Sequence, residues 1–198
     1  MNRQEKLLKS ARNLTPEPVR GKQGMTVPKL KVEIREAKPS DARKLTAYIA
    51  DVFATADHLI TRPEEYTRGS FKQRLWISKK LTNPVETCLV ALSDGNIIGM
   101  IDSWTDRRKR VAHATCFAMS VSESHRQQGI GRALLKEFIS WIKAHPSLSR
   151  LELHVHSDNY GAIKLYTSMG FELEGVRKSA VRYEDGRVVD DHIMALWP

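Results

Sequence analysis

The sequence predicts one α/β domain built on a mixed β-sheet, and three observations carry that reading. Short apolar–polar alternations typical of strands are interleaved with segments whose apolar residues recur at helical spacing. Two Asp-Gly pairs, Asp94-Gly95 and Asp185-Gly186, each sit between two such alternations, which is a hairpin signal and demands antiparallel neighbours. A strand–helix–strand passage between about residues 114 and 156 demands a parallel crossover in the same sheet. A chain of 198 residues suffices for one such domain with a sizeable core.

The elements follow in order. "KVEIREA" alternates Val32 and Ile34 with charged residues and reads as a first strand. Pro39-Ser40-Asp41 is a helix start. Ala42, Leu45, Ile49 and Phe53 then form the expected inward stripe. "ADHLITRPEEYTRG" reads as loop, and a second helix is predicted over 70–81 with Phe71, Leu75 and Leu81 inward. "ETCLVALS", "NIIGMIDSW" and "VAHATCFAMSV" are three strands. A helix from about 130 carries Ile130, Leu134, Phe138 and Ile142 on one stripe. "RLELHVHS" is a strand with Leu151, Leu153 and Val155 on one face. A short helix over 159–169 turns Ile163, Tyr166 and Met169 inward and stops at Gly170, a left-handed cap. "FELEGV" and the strands flanking Asp185-Gly186 close the chain, giving the order β-α-α-β-β-β-α-β-α-β-β.

Composition narrows the class. Residues 1–31 hold eight bases and two acids, so +6 of the net charge of +9 belongs to this stretch. With "TPEPVRGKQG" breaking any pattern, 1–31 is expected to be a flexible basic extension and 32–198 the folded domain. A basic tail can also dock nucleic acid or an acidic surface. Cys88 and Cys116 give neither a disulfide framework nor metal-ligand spacing, so no metal is expected. The longest apolar runs are about five residues, far short of a bilayer span. A soluble, cytoplasmic protein with no membrane partner is the expectation, and a homodimer is compatible with it.

The informative stretch is "HRQQGIGRALLKEF", residues 125–138. A strand ending at Val121, then Gly129 and Gly131, then a helix, makes an anion site. The first turn of a helix has unpaired N–H groups and a partial positive charge, and glycines let an anion approach the backbone. Arg126 and Arg132 can add charged contacts. A pyrophosphate is the expected guest. The dinucleotide fingerprint fails because its third glycine position holds Leu134, and the phosphate-loop signature fails because no Gly-Lys-Ser/Thr follows.

Arg126-x-x-Gly129-x-Gly131, followed by Asn159, Ala162, Leu165-Tyr166 and Gly170-Phe171, resembles the Gcn5-related N-acetyltransferases (GNAT). The two blocks span 119–175, and the element order extends the similarity over about 32–197. The branch it resembles includes amino-acid, polyamine and ribosomal-protein acetyltransferases. The resemblance implies a GNAT fold, with about seven strands, about four helices and a splay between strands 4 and 5. It implies acetyl-CoA as donor and coenzyme A as product. Backbone groups of Gln127, Gln128, Gly129, Ile130, Gly131 and Arg132, with Arg126, are implied to hold the pyrophosphate. Met119, Ser120 and Val121 are implied to pair with the pantetheine arm, and Asn159 to contact the cofactor across the splay.

Acetyl transfer to an amine needs a neutral amine, a donor to the oxyanion and a proton for the leaving thiolate. Tyr166 stands where the family places its tyrosine acid. Its other reading is a core ring on a short helix. His154 stands where some relatives carry a catalytic glutamate, and an imidazole titrates in the right range. A non-catalytic sheet-face histidine, Glu123, Glu152 or a water chain are the alternatives. Asp57, Glu64 and Glu65 are candidates to attract a cationic amine. The implied activity is direct transfer in a ternary complex to a small-molecule amine or amino acid. The alternatives are a macromolecular amine, such as a protein N-terminus or aminoacyl-tRNA, or a non-catalytic module that binds CoA.

Overall fold

The computed structural model describes residues 31–198. Apart from Lys31, the basic extension lies outside the described residues. The elements are β1 (Glu33–Glu36), α1 (Ala42–Thr55), α2 (Ser70–Leu81), β2 (Cys88–Ser93), β3 (Asn96–Thr105), β4 (Ala114–Val121), α3 (Ile130–Lys143), β5 (Arg150–His156), α4 (Tyr160–Ser168), β6 (Glu172–Arg182) and β7 (Val188–Leu196). This is the predicted order of strands and helices. The seven strands form one mixed sheet, β1-β2-β3-β4-β5-β7-β6, in which β4 and β5 are parallel and the other neighbours antiparallel. Asp94 (φ 48°) and Gly95 (φ 74°) take the left-handed pair of conformations that a tight hairpin requires.

Each face of the sheet is covered by a pair of helices. On one face α1 and α2 pack Ala42, Leu45, Tyr48, Val52 and Ile77 against Cys88, Val90, Leu92 and Ile97. On the other, α3 and α4 pack Ile130, Leu134, Leu135, Phe138, Ile142 and Tyr166 against Ile101, Phe117, Leu151, Leu153 and Val155. Phe138 is fully buried, 5.2 Å from Phe117 between ring centroids. Phe138→Ala is expected to cost about 3–5 kcal/mol, read as a fall in the urea midpoint at unchanged slope.

Two inward faces differ from the expectation. Helix α1 buries Tyr48 and Val52, with Ile49 and Phe53 only half-buried beside them. Tyr48 fits because its hydroxyl shares a 2.9 Å hydrogen bond with Ser120 Oγ. Helix α2 is rotated further. Phe71, Leu75 and Leu81 are exposed, and Gln73, Ile77 and Lys80 are buried. The polar side chains go inward because partners wait there. Lys80 Nζ lies 2.9 Å from Asp102 Oδ1 and 3.1 Å from Glu86 Oε2, and it donates to the Ser103 carbonyl. Gln73 Oε1 accepts from the Tyr66 hydroxyl at 3.2 Å. A buried charge is tolerated only when paired in this way.

The feature that positions the site is where the sheet opens. β4 and β5 pair only at Ala114↔Arg150, Thr115↔Leu151 and Cys116↔Glu152. Beyond that point β4 stays bound to β3 as far as Gly99↔Val121, and β5 stays bound to β7 as far as His156↔Asp191. Phe117–Val121 and Leu153–His156 therefore present facing backbone edges that do not pair with each other. This is the splay expected between strands 4 and 5.

Candidate active site

The glycine turn lies at the wide end of the opening. Gln127 (φ 60°) and Gly129 (φ 82°) are both left-handed, and Gly129 is the N-cap of α3. The first helical bond runs from Ala133 N–H to the Gly129 carbonyl, 3.0 Å. The N–H groups from Ile130 to Arg132 therefore belong to the unpaired first turn. A Cβ on Gly129 would meet no atom within 4 Å, so the left-handed backbone rather than crowding is what favours glycine there. A Cβ on Gly131 would lie 3.3 Å from Leu165 Cδ2, with Met119 and Val121 just beyond, so Gly131 also lets α3 sit close to β4 and α4.

The two arginines are placed differently. Arg126 Nε donates to the Val121 carbonyl at 3.3 Å, which keeps its guanidinium beside the turn. Arg132 donates to Ser168 Oγ (2.7 Å) and reaches Met169 Sδ (3.3 Å), so it ties α3 to the end of α4. Gln128 Nε2 donates to the Ser124 carbonyl at 3.0 Å and braces the turn. Met119, Ser120 and Val121 line the β4 edge, half-buried. Asn159 is the N-cap of α4, its Oδ1 accepting from Ala162 N–H at 3.2 Å.

Strand alternation sends side chains to the two sides of the opening. Phe117 faces α3 and α4, where Tyr166 packs edge-on against it (6.1 Å) and against Phe171 (5.7 Å). Burial alone pushes the Tyr166 phenol up to about 12. It therefore stays protonated at neutral pH and can only give a proton. His154 lies on the opposite face, in the row with Glu152 and His156, and its side chain is 39% exposed. Its Nδ1 is 2.8 Å from Asp191 Oδ2, and its Nε2 is 3.7 Å from Glu152 Oε1. Of the other candidate bases, Glu152 is engaged by Arg150 at 2.8 Å, and Glu123 lies in the exposed turn before Arg126.

A cavity of about 630 Å³ lies on the His154 face, between the chain following α1 and the β6–β7 hairpin. Its lining includes Phe53, Asp57, Arg62, Arg182, Tyr183 and Glu184. Arg62 and Glu184 form an ion pair of 2.5 Å. Of the three acids expected to draw a cationic amine, Asp57 alone lines this cavity. Glu65 Oε2 instead accepts from Arg62 N–H (2.8 Å), and Glu64 lies 4.0 Å from the Arg62 guanidinium.

A polar network joins the cavity to the end of β5. The Tyr183 hydroxyl donates to Asp158 Oδ1 (3.1 Å), so it accepts from His156 Nδ1 (2.9 Å). Burial, and then Asp158, push the Tyr183 phenol up to about 12. Burial also lowers His156 from the ordinary histidine range and favours its neutral form. His58, from the loop after α1, reaches Asp158 at 3.6 Å. Sequence reasoning does not reach Asp191, Asp158, Tyr183 or His58. The pairing of β5 with β7 and the fold of the hairpin bring them in. The one available signal was the acidic Asp190-Asp191 pair within a largely apolar strand.

A sheet split beside a glycine-capped helix, with Tyr166 buried against one face of the sheet and His154 on the other, makes a candidate group-transfer site in an α/β fold. Residues 49–171, more than half of the chain, match the acetyltransferase (GNAT) family. The chain belongs to that family and is an acyltransferase of the N-acetyltransferase type. It is 34% identical over 122 residues to the L-amino acid N-acetyltransferase AaaT of Escherichia coli, covering 61% of this chain and 74% of that relative. It is 39% identical over 83 residues to the E. coli ribosomal protein bS18-alanine N-acetyltransferase. That match spans 42% of this chain and 55% of the relative, about half its length. The structure of a GNAT-family acetyltransferase from Streptococcus pneumoniae superposes with a TM-score of 0.82 at 29% identity, over 85% of this chain and 100% of that one. The structure of yncA from Salmonella typhimurium with its cofactor acetyl-CoA shares the fold, with a TM-score of 0.74 at 18% identity over 84% and 94% of the two chains. Among the described residues no helix is long and apolar enough to cross a membrane.

Proposed function

We propose that the chain transfers an acetyl group from acetyl-CoA to the primary amine of a small molecule or amino acid, by direct attack in a ternary complex. The observation that carries this is the opening between β4 and β5 with the Gln127–Arg132 turn at its wide end. The unpaired β4 edge fits an extended arm, and the unpaired N–H groups in the first turn of α3 fit a phosphate. Acetyl-CoA supplies an activated acetyl thioester whose sulfur departs as a thiolate. The turn amides from Gln127 to Arg132, with Arg126, hold its phosphates. Met119, Ser120 and Val121 orient the arm, and Asn159, whose oxygen caps α4, offers its side-chain N–H groups to the cofactor. A β4 amide donates to the carbonyl oxygen as charge grows there. His154 takes a proton from the amine on one face, and Tyr166 gives a proton to the sulfur on the other.

A small acceptor is supported by the cavity on the His154 face. About 630 Å³ lies within the range of sites for small ligands, and its mixed charges suit a zwitterion better than a polycation. The relation to an L-amino acid N-acetyltransferase points the same way. The relation to a ribosomal-protein-alanine enzyme supports the second reading, a protein N-terminus as acceptor. Thiol release from acetyl-CoA, measured with an L-amino acid pool and separately with Ala-initiated peptides, tests both. Turnover with the amino acids is expected. Turnover with the peptides alone favours the second reading, and a salt-dependent KM abolished by deleting residues 1–24 would assign docking to the basic extension. No thiol release with either pool contradicts transfer to these amines.

A further inference from the structure

We propose that Asp191 is a positioning residue that holds His154 in the tautomer and orientation of a proton acceptor. The inference rests on the reading of His154 as the base and adds the group that makes it one. A half-exposed imidazole on a strand is free to turn, and either ring nitrogen can carry its proton. Here the ring is fixed from within the sheet. Asp191 Oδ2 lies 2.8 Å from His154 Nδ1 and accepts from Arg177 Nη1 at 3.1 Å. An oxygen already accepting from a guanidinium is not the proton donor in its other contact, so Nδ1 carries the hydrogen. The Nε2 lone pair then faces away from Asp191, toward Glu152, whose Oε1 lies 3.7 Å from it.

Two further observations mark Asp191 as more than a ladder residue. It is 2% exposed, and the next residues on its face of β7, Ile193 and Ala195, are apolar. Its second oxygen, Oδ1, is buried with no hydrogen-bond partner among the described residues. A buried carboxylate left half unsatisfied costs free energy, and such groups in native structures have a reason to be there. Of its two contacts from the neighbouring strands, the one to the imidazole on β5 is the shorter, 2.8 Å against 3.1 Å to Arg177 on β6.

The proton step balances simply. The acceptor ammonium loses one proton to His154 Nε2 and becomes a neutral amine with a free lone pair. His154 becomes an imidazolium hydrogen-bonded to Asp191, and no other group changes charge. The charged groups facing this ring are Asp191 from β7, Arg177 from β6 and Glu152 from β5, with Glu152 held by Arg150. Cys116 on β4 faces Glu152, 3.9 Å from Sγ to Oε1. Arg177 pairs with the same Asp191 oxygen and offsets its charge beside the ring. Glu152, 3.7 Å from Nε2, is placed to pass the proton on to solvent.

The test uses the full chain. In ¹⁵N spectra of the wild-type imidazoles, neutral His154 is expected in the Nδ1–H form, and Asp191→Asn should shift it toward Nε2–H. Thiol release by Asp191→Asn, with acetyl-CoA and the amine pool that supports turnover, should fall roughly 10- to 1,000-fold at pH 7, within the reach of general-base catalysis. It should recover toward wild type at alkaline pH, where the amine is already neutral. Arg177→Gln removes the other partner of Asp191 and should keep the Nδ1–H form. An Nε2–H tautomer in the wild type overturns the proposal even if Asp191→Asn does not fold. So does a wild-type rate in Asp191→Asn at pH 7, or a loss equal at all pH values, which marks a purely structural role. A wild-type rate in His154→Gln would instead overturn His154 as the base.

Discussion

Gly129→Asp is expected to abolish measurable acetyl-CoA binding while the domain stays folded. The Cβ enters open space, and aspartate is among the residues that tolerate a left-handed backbone, so the structural cost is small. Its carboxylate would occupy the space before the first turn of α3, where unpaired N–H groups and the helix dipole favour an anion. Loss of two charge-assisted hydrogen bonds, at about 1.5–3 kcal/mol each, weakens binding by roughly 10²-fold or more. Gly129→Asn has the same size without the charge and should bind far better than Gly129→Asp. Gly131→Asp should also lose binding, but with a stability cost, because its side chain would press on Leu165. Calorimetry reads the affinities and thermal unfolding reads the fold. Near-normal affinity in Gly129→Asp would remove the turn from the cofactor site.

The second large effect is expected at the leaving group. Tyr166→Phe should lower kcat roughly 10²- to 10⁴-fold, the range of general acid catalysis, with little change in acetyl-CoA affinity. The ring keeps its packing on Phe117 and Phe171, so affinity and stability have little reason to move. Burial that raises the phenol to about 12 also weakens it as an acid. The same dry surroundings raise the basicity of a departing thiolate, so proton transfer between them stays matched. Because the raised value keeps the hydroxyl protonated through the neutral range, no alkaline loss of rate should come from Tyr166 until the pH nears 12. The deficit should be smallest for thioesters whose thiol is more acidic. A Tyr166→Phe enzyme with the wild-type kcat, where chemistry limits turnover, would leave Tyr166 as a core ring.

Much of this architecture was legible because its signals are local. Strand alternation, Asp-Gly turns and the left-handed glycines at 129 and 170 act within a few residues, and they placed every strand and helix in order. The inward face of α2 was not legible. Phe71, Leu75 and Leu81 form the more apolar stripe, yet burying Lys80 depends on Asp102 and Glu86, which lie on other segments. The glycine turn, Asn159 and Tyr166 could be proposed as site residues from the sequence because their order along the chain is itself the signal. Asp191 could not, since only the β5–β7 register brings it within 2.8 Å of a residue 37 positions away. The cavity on the His154 face shares that difficulty, being formed by the loop after α1 and a hairpin more than 100 residues later.

In the proposed reaction acetyl-CoA lies in the opening between β4 and β5 with its phosphates on the α3 turn. Amide-resolved NMR of the full chain titrated with acetyl-CoA tests it most directly. Large, saturable shifts are expected at Met119–Val121 and Gln127–Arg132, smaller ones at Asn159, and none at the exposed face of α2. Saturable binding that leaves both the β4 edge and the 127–132 turn unperturbed would contradict it.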